Sequence, residues 1–469
     1  MPMVIGAGAL LMSRLAVAFL GWSGTVLIAR ELGQEDFGAF TLVFSLLGML
    51  SIVTDLGIGR VALAGLVDPD ADSARFAGTY VILRAALGVV GYGVVVAFVV
   101  LVGYSDLVVR ATLVAGVVVV LDTPAHAYEI VFQANHRLPL IAGARVAAQL
   151  GQLALTVALV VDGRSLVWLT VPAVLNAFLL LAITVPLAHR LEQFRYVIDR
   201  AIWWRLVREA VPLSVGTALA TIYYRVDSIM LSKLDDLGSV GMYGVAYRFV
   251  DVAHFIPSAL SVAILAVLVK AWPDDPATLR TTFRSAASVL ALVGGLLVVE
   301  FLLFAEEIVT LLYGDLYGDA ATAVRVLMIG EWASYFTSLS FAVLVATASH
   351  KRYPLITLAG LGLNVIANMV LIPILSFRGA AIATLITEVV VVVLMLAEVR
   401  RIEVLRPLPV RHLWSLAGPF GSALVVGLGV STTLPWLAAA GASALSYVLV
   451  AHLMRFGGPE GLVGLVRIR

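Results

Sequence analysis

The chain has 469 residues, of which 61% are hydrophobic and 13% are charged, and its formal net charge at pH 7 is +1. Soluble domains carry about 25% charged residues, so this composition excludes a soluble protein, and the near-neutral balance argues against a nucleic-acid partner. Cysteine is absent, which excludes disulfides, thiol catalysis and thiolate metal sites.

Apolar stretches of about 20 residues or more recur from end to end, and each is long enough to cross a bilayer core about 30 Å thick. Because a segment in lipid must satisfy its own backbone hydrogen bonds, we predict an all-α polytopic membrane protein. The sequence predicts fourteen transmembrane helices. They cover roughly residues 3–29, 37–66, 76–103, 108–132, 138–161, 165–188, 208–232, 238–270, 284–304, 321–347, 353–375, 379–399, 412–431 and 434–454.

Lysine and arginine are distributed unequally between the two sides that this arrangement defines. Twenty of them lie in the connections and terminus on the side of the N-terminus, and six lie on the opposite side. Cytoplasmic connections of membrane proteins carry the excess of lysine and arginine. We therefore predict a multi-pass protein of the cytoplasmic membrane, with both termini in the cytoplasm.

Two sequence matches indicate an internal repeat. The run Arg137-Leu138-Pro139-Leu140-Ile141 opens the fifth predicted span, and Arg352-Tyr353-Pro354-Leu355-Ile356 opens the eleventh. A weaker match pairs Phe37-Gly38 with Tyr243-Gly244. The two offsets, 215 and 206 residues, both correspond to six spans. An even number of crossings gives two repeats with the same orientation in the membrane.

The repeat predicts four parts of the chain. These are an N-terminal six-helix lobe in residues 1–188, a cytoplasmic amphipathic linker in 189–207, a C-terminal six-helix lobe in 208–400 and two appended helices in 401–469. The linker mixes arginine with tryptophan, which is typical of a helix that lies in the headgroup plane.

Five arginines lie within otherwise apolar spans. They are Arg14, Arg84, Arg145, Arg225 and Arg248. A charge in hydrocarbon costs at least a few kcal/mol, so such a residue normally faces a wet cavity or a partner. A guanidinium group offers a planar fork of donors that binds phosphate oxygens in pairs. These residues therefore predict a cationic cavity that binds an anionic substrate, and alanine at Arg14, Arg84 or Arg145 is predicted to abolish transport without changing protein level.

Carboxylates inside the spans give a second interpretation, in which each arginine is neutralised by a structural ion pair. The candidate partners are Asp55, Asp122, Glu129, Asp227, Asp251 and Glu388. Arg248 and Asp251 are three residues apart, a spacing that places both on one helix face. Asp55, Asp122, Asp251 and Glu388 are also candidates for ion or proton coupling, because intramembrane carboxylates commonly form proton relays.

A series of short motifs resembles Wzx-type polysaccharide flippases. In the first half these motifs are Arg30-Glu31-Leu32-Gly33, Asp36-Phe37-Gly38-Ala39-Phe40 and Asp55-Leu56-Gly57-Ile58-Gly59. In the second half they are Arg225-Val226-Asp227-Ser228-Ile229-Met230-Leu231-Ser232 and Val240-Gly241-Met242-Tyr243-Gly244-Val245-Ala246-Tyr247-Arg248. The resemblance covers roughly residues 10–400.

The resemblance implies the fold of the multidrug/oligosaccharidyl-lipid/polysaccharide exporter superfamily, with two six-helix lobes forming a V around a central cavity. It also implies that a polyprenyl-diphosphate-linked oligosaccharide moves from the inner to the outer leaflet by alternating access, without ATP hydrolysis, for cell-surface polysaccharide biosynthesis. Na⁺ or H⁺ is the implied coupling ion, membrane lipids surround the protein, and a monomer is expected to suffice. Drug-exporting relatives carry an acidic residue in the first span, whereas this chain has Arg14 there and no Asp or Glu before residue 30.

Two alternatives remain open from the sequence. An ion-coupled exporter of cationic drugs from the same superfamily would need an acidic, aromatic pocket, which the buried arginines do not favour. A membrane polymerase or ligase of lipid-linked sugars would need a polar site on a long outer loop, and the outer connections are short. No P-loop, HExxH motif or histidine pair at metal-ligand spacing is present, so neither an enzyme, a cofactor nor a metal site is predicted.

Overall fold

The computed structural model describes residues 2–55, 57–67, 72–406 and 414–454. For residues 2–11, 53, 60, 212, 213, 217 and 414 it describes the backbone but not the side chain. Throughout these ranges the regular structure is helical and no strand occurs, which confirms the all-α prediction. The helices are α1 (Pro2–Glu31), α2 (Gln34–Asp55), α3 (Ile58–Leu66), α4 (Ser73–Leu101), α5 (Asp106–Ala115), α6 (Val117–Ala134), α7 (Leu138–Val161), α8 (Leu166–Leu169), α9 (Val171–His189), α10 (Arg200–Leu234), α11 (Leu237–Ala253), α12 (Phe255–Ala271), α13 (Pro276–Tyr313), α14 (Ala320–Ala346), α15 (Tyr353–Leu375), α16 (Phe377–Val399), α17 (Ala417–Ser431) and α18 (Trp436–Leu453).

Each of the fourteen predicted spans contains one or two of these helices. Twelve segments in the described ranges are long and apolar enough to cross a membrane, so the chain is a multi-pass membrane protein. The other two predicted spans lie in α10, which has 35 residues, and in α17, which has 15.

Contacts between helices divide the chain into two compact units, residues 1–241 and 242–469. Helix α10, which the repeat places at the start of the second lobe, packs against α2, α3 and α4 of the first unit. The lobe boundaries at residues 188 and 208 remain predictions.

Four predicted spans are divided into two helices each. Helix α2 ends at Asp55 and α3 begins at Ile58, and between them Gly57 adopts a φ of 65°. Glycine reaches this left-handed conformation without the steric cost that a Cβ atom brings. The other divisions lie at Gly116, between α5 and α6, at Thr170, between α8 and α9, and at His254, between α11 and α12. Breaks of this kind inside a membrane need other groups to satisfy the freed backbone.

Helix α4 approaches α2 closely in the first unit because a glycine lies at their contact. A Cβ atom on Gly91 would lie 2.6 Å from Cγ2 of Thr54, which is closer than real side chains approach. Small residues of this kind let helix backbones approach each other within a membrane. This contact brings Arg84 of α4 to the end of α2, as described below.

The connection between α9 and α10 is extended over residues 193–199, and the helix predicted in the linker begins only at Arg200. The extended strip is bound to the start of α4: the backbone N–H of Arg195 donates to the carbonyl of Ala74 (2.9 Å), and the Thr79 hydroxyl donates to that of Val197 (2.9 Å). The hydroxyls of Tyr196 and Tyr128 are 2.8 Å apart. Hydrogen bonds to α4 thus satisfy backbone groups of this strip that would otherwise be paired within a helix.

Asp199 caps the start of α10 and gives a pH-dependent prediction. Its carboxylate accepts hydrogen bonds from the backbone N–H groups of Ala201 (3.0 Å) and Ile202 (3.2 Å), and Arg75 lies 2.7 Å away. The Ile202 amide is the largest cause that lowers the pKa of Asp199. A carboxylate whose pKa is lower in the folded state than in the unfolded state stabilises the fold at pH values above its ordinary pKa, about 4. This contribution is lost as the pH falls through the lowered pKa.

We therefore expect hydrogen exchange of the Ala201 and Ile202 amides, corrected for intrinsic rates, to accelerate below about pH 4. In Asp199→Asn, the side chain still accepts a hydrogen bond but carries no charge to titrate, so its corrected exchange rates should be independent of pH. Equal pH profiles for the two proteins would show that the Asp199 charge does not stabilise the start of α10.

In the second unit, α14 is the most enclosed helix and packs against α12, α13 and α16. Helices α17 and α18 pack against each other and against α13. The Tyr447 hydroxyl of α18 donates to the carbonyl of Leu292 on α13 (3.0 Å). The predicted appended helices are thus attached to the second unit.

Candidate functional site

A polar cavity of about 500 Å³ lies within the first unit, where α2 ends and α3 begins. Its walls come from α2, α3, α4 and α6. The lining residues are Ser51, Thr54, Asp55, Gly57, Gly59, Leu63, Tyr80, Arg84, Asp122, Thr123, His126, Ile130 and Gln133. The volume falls within the usual range for small-molecule sites. Three residues predicted from the sequence, Asp55, Arg84 and Asp122, are therefore brought together here.

Arg84 binds the end of α2, and its side chain is only 5% exposed. Its Nη1 donates to the carbonyl of Thr54 (2.7 Å) and to the Asp55 carboxylate (2.9 Å), and its Nε donates to the carbonyl of Thr123 (3.4 Å). The last carbonyls of a helix lack partners within the helix and carry a partial negative charge. Arg84 thus stabilises the break in the span, while its Nη2 makes no hydrogen bond to any described residue.

Asp122 and His126 form a second ionisable pair on the α6 wall of the cavity. The Nδ1 atom of His126 lies 3.2 Å from the Asp122 carboxylate and 2.9 Å from the Asp122 carbonyl oxygen. The two residues are four apart, so they share one helix face. With Asp55 and Arg84 the cavity has two carboxylates, one guanidinium and one imidazole, and its charges nearly balance.

Arg145 lies outside this cavity and is bound by Glu129. Nε of Arg145 lies 3.1 Å from Oε1 of Glu129, and Nη2 lies 2.8 Å from Oε1 and 2.6 Å from Oε2. The Glu129 side chain is 8% exposed and that of Arg145 is 27% exposed. This fork geometry is the strong form of an ion pair, so the alternative interpretation from the sequence, a structural pair, describes the arrangement at Arg145. Its contact with a substrate remains a prediction.

Arg14 and Arg225 differ from the other three arginines. Arg14 is exposed on α1, and among the described residues none forms a hydrogen bond or an ion pair with it. Arg225 of α10 is half-buried, and its Nε lies 3.2 Å from where a Cβ atom on Gly48 of α2 would be. No described carboxylate, including the candidate partner Asp227, forms an ion pair with Arg225.

In the second unit, Arg248 and Asp251 pair at 3.3 Å, as their three-residue spacing predicts. Glu388 of α16 is buried. A further pair, His254 and Glu331, was not predicted from the sequence; the Nδ1 and Oε1 atoms of these residues are 3.0 Å apart. Pro257, three residues after His254, was the available signal, because a proline interrupts the hydrogen bonds of a helix.

Two family models match the chain. The model described as "Polysaccharide biosynthesis protein" matches residues 3–272, and the MatE model matches residues 212–370. No curated protein matches the sequence.

Solved structures show the same fold. The inward closed conformation of the lipid II flippase MurJ matches with a TM-score of 0.80 and 14% identity, covering 99% of this chain and 100% of that one. An inward-facing multidrug transporter of the MATE family matches with a TM-score of 0.65 and 17% identity, covering 85% of this chain and 99% of that one. A MOP superfamily transporter from Pyrococcus furiosus, described as having a binding pocket of reversed polarity, matches with a TM-score of 0.59 and 14% identity, covering 86% of this chain and 96% of that one.

At such identities a structural match establishes the fold alone, while the first family model spans more than half of the sequence. Both findings agree with the resemblance that the motifs at residues 30–59 and 225–248 predicted. The chain therefore belongs to the polysaccharide biosynthesis protein family.

Proposed function

We propose that the protein is a flippase that serves the biosynthesis of a cell-surface polysaccharide. It moves a polyprenyl-diphosphate-linked oligosaccharide from the inner to the outer leaflet by alternating access. We further propose that it acts in the cytoplasmic membrane with both termini inside, as a monomer, and that Na⁺ or H⁺ drives transport. Its family and the similar structures are those of transporters and flippases.

The observation that carries this proposal is a set of guanidinium donors inside apolar spans without a carboxylate partner in the described structure. Arg14, Arg225 and the Nη2 atom of Arg84 are in this position. A cation within a membrane is stabilised by water or by an anion. A diphosphate supplies several acceptor oxygens and about two negative charges, so it suits such donors.

The cavity beside Arg84 complements the arginines. Its charges nearly balance, so by itself it would not select a diphosphate. Carboxylates, hydroxyls and an amide on its walls are instead groups that hydrogen-bond sugar hydroxyls, since a carboxylate accepts and an amide both donates and accepts. We propose that Asp55, Asp122 and Gln133 contact the glycan part of the substrate.

Arg14 gives the test with the least structural disturbance, because no described residue depends on its charge. In proteoliposomes, we expect Arg14→Ala to slow flipping of a fluorescent polyprenyl-diphosphate N-acetylglucosamine by about tenfold or more, which is the loss of one charge-assisted contact. Arg14→Lys should recover part of the rate, since lysine keeps the charge but not the planar fork.

Arg110→Ala is the matched control, because Arg110 is an exposed arginine whose Nε donates only to the Asp106 carbonyl one turn earlier. It should flip the probe at the wild-type rate. Equal rates for Arg14→Ala and Arg110→Ala would remove Arg14 from the substrate site.

The MatE match and the two carboxylates in the cavity favour one second candidate, the export of an organic cation. This alternative predicts uptake of ethidium that depends on Asp55 and Asp122. It also predicts no flipping of a lipid diphosphate, so the two candidates give opposite results in the same vesicles.

A further inference from the structure

The break between α11 and α12 in the second unit has a defined chemical cause. Pro257 lacks an N–H group, so the carbonyl of Ala253, four residues earlier, has no donor within the helix. The hydroxyl of Tyr335 on α14 donates to this carbonyl instead, at 2.9 Å. A side chain of a neighbouring helix thus satisfies the backbone at the break.

The same face of α14 also holds the residue at the break itself. Glu331 precedes Tyr335 by four residues, one helix turn, and its Oε1 lies 3.0 Å from Nδ1 of His254. Glu331 is 4% exposed, whereas the His254 side chain is 31% exposed. The carboxylate is therefore enclosed, and the imidazole is the member of the pair that reaches the surface.

The other charges around this pair leave His254 as the nearest cation to Glu331. Arg248 is bound to Asp251 on α11. The other carboxyl groups that act on His254 are those of Glu388 on α16 and Asp251 on α11. An enclosed carboxylate is destabilised when its cationic partner is lost. The proton on His254 and the negative charge on Glu331 are thus expected to depend on each other.

We propose that His254 and Glu331 form a proton-binding site that latches the α11–α12 break. With the proton bound, the imidazolium is tied to α14 and the break is held at both His254 and Ala253. When the proton leaves, Glu331 loses its charged partner and His254 can offer it only the weaker hydrogen bond of a neutral imidazole, so the segment is held less tightly. This site binds a proton at a helix break, and its action does not depend on which substrate is carried.

The ligand is a proton rather than a metal ion because of the donor set. In the described parts of the chain no group of three or more His, Asp or Glu side chains is arranged to hold a metal ion. Histidine is the side chain whose ordinary titration range includes neutral pH. A single imidazole paired with one carboxylate can therefore exchange a proton under physiological conditions.

The test is hydrogen exchange of the His254 and Ser258 amides in the full-length protein in lipid nanodiscs, corrected for intrinsic rates. These amides bond the carbonyls of Val250 (2.9 Å) and His254 (3.3 Å). We expect their corrected exchange to accelerate by about tenfold between pH 5 and pH 8 in the wild type, because the charge-assisted bond between His254 and Glu331 becomes at best a bond from a neutral donor.

In His254→Asn and Glu331→Gln this pH dependence should disappear. Tyr335→Phe should exchange faster at every pH but keep the dependence, because it removes the other contact. His350→Asn is the matched control, since His350 is exposed at the turn before α15 and should behave as the wild type.

Wild-type exchange that is independent of pH would overturn the proposal, even if the variants do not fold. Protection by sodium chloride at fixed pH, but not by potassium chloride, would also overturn it, in favour of a cation site. Failure of the proposed function is distinguishable: exchange would still follow pH while the vesicles move no lipid diphosphate.

Discussion

Replacing Arg145 by alanine is expected to lower the free energy of unfolding by about 3 kcal/mol. The loss arises because the alanine leaves the enclosed Glu129 carboxylate without its cation. The double variant Arg145→Gln with Glu129→Gln should recover most of this loss, since two amides can hydrogen-bond without a buried charge. Denaturant unfolding of the purified protein in detergent measures both changes.

A surface ion pair with the same separation provides the control. Arg164 and Asp162 are also 2.6 Å apart, but their side chains are 50% and 59% exposed. Exposed pairs contribute less than about 1 kcal/mol, so Arg164→Ala should have a small effect. If Arg145→Ala and Arg164→Ala destabilised the protein equally, burial of the Arg145–Glu129 pair would not be the cause.

The second large effect is expected at Arg84. Alanine there removes the donors from the Thr54 carbonyl and from Asp55, and a buried acceptor left without a partner costs about 1–3 kcal/mol. It also removes one of the side chains that line the cavity. We therefore expect flipping to fall below detection and the protein to become less stable. The sequence alone predicts loss of transport at an unchanged protein level; the contacts to α2 add the cost in stability.

Arg84→Lys separates the two roles. Lysine keeps the positive charge as a point charge but cannot place a planar fork of donors between two helices. Purified Arg84→Lys should therefore be intermediate both in stability and in flipping rate, measured on the same preparation. A lysine variant with wild-type stability and wild-type flipping would show that neither the α2 contacts nor the cavity needs a guanidinium group.

Some of this arrangement follows directly from the sequence. The pairing of Arg248 with Asp251 depends only on helix periodicity, because residues three apart share a face. The all-α fold follows from apolar segments that must satisfy their own backbone in lipid. The resemblance to polysaccharide flippases follows from the order of short motifs along the chain, such as those in residues 30–40 and 55–59.

Other pairings could not be chosen from the sequence. Arg84 meets Asp55 across 29 residues, and His254 meets Glu331 across 77 residues. These contacts depend on which helices pack together, and with six candidate carboxylates the spacing in the chain does not select one. Glu331 was missed because nothing in the local sequence of α14 shows that it faces a proline break in another helix.

The proposed function is the movement of a lipid-linked diphosphate across the bilayer. The most direct measurement compares three probes in wild-type proteoliposomes: a fluorescent polyprenyl-diphosphate sugar, the corresponding monophosphate, and ethidium. We expect rapid flipping of the diphosphate, slower flipping of the monophosphate and no transport of ethidium, since the guanidinium donors favour the more highly charged anion. Transport of ethidium without movement of either lipid would rule out a lipid-diphosphate flippase and identify a cation exporter instead.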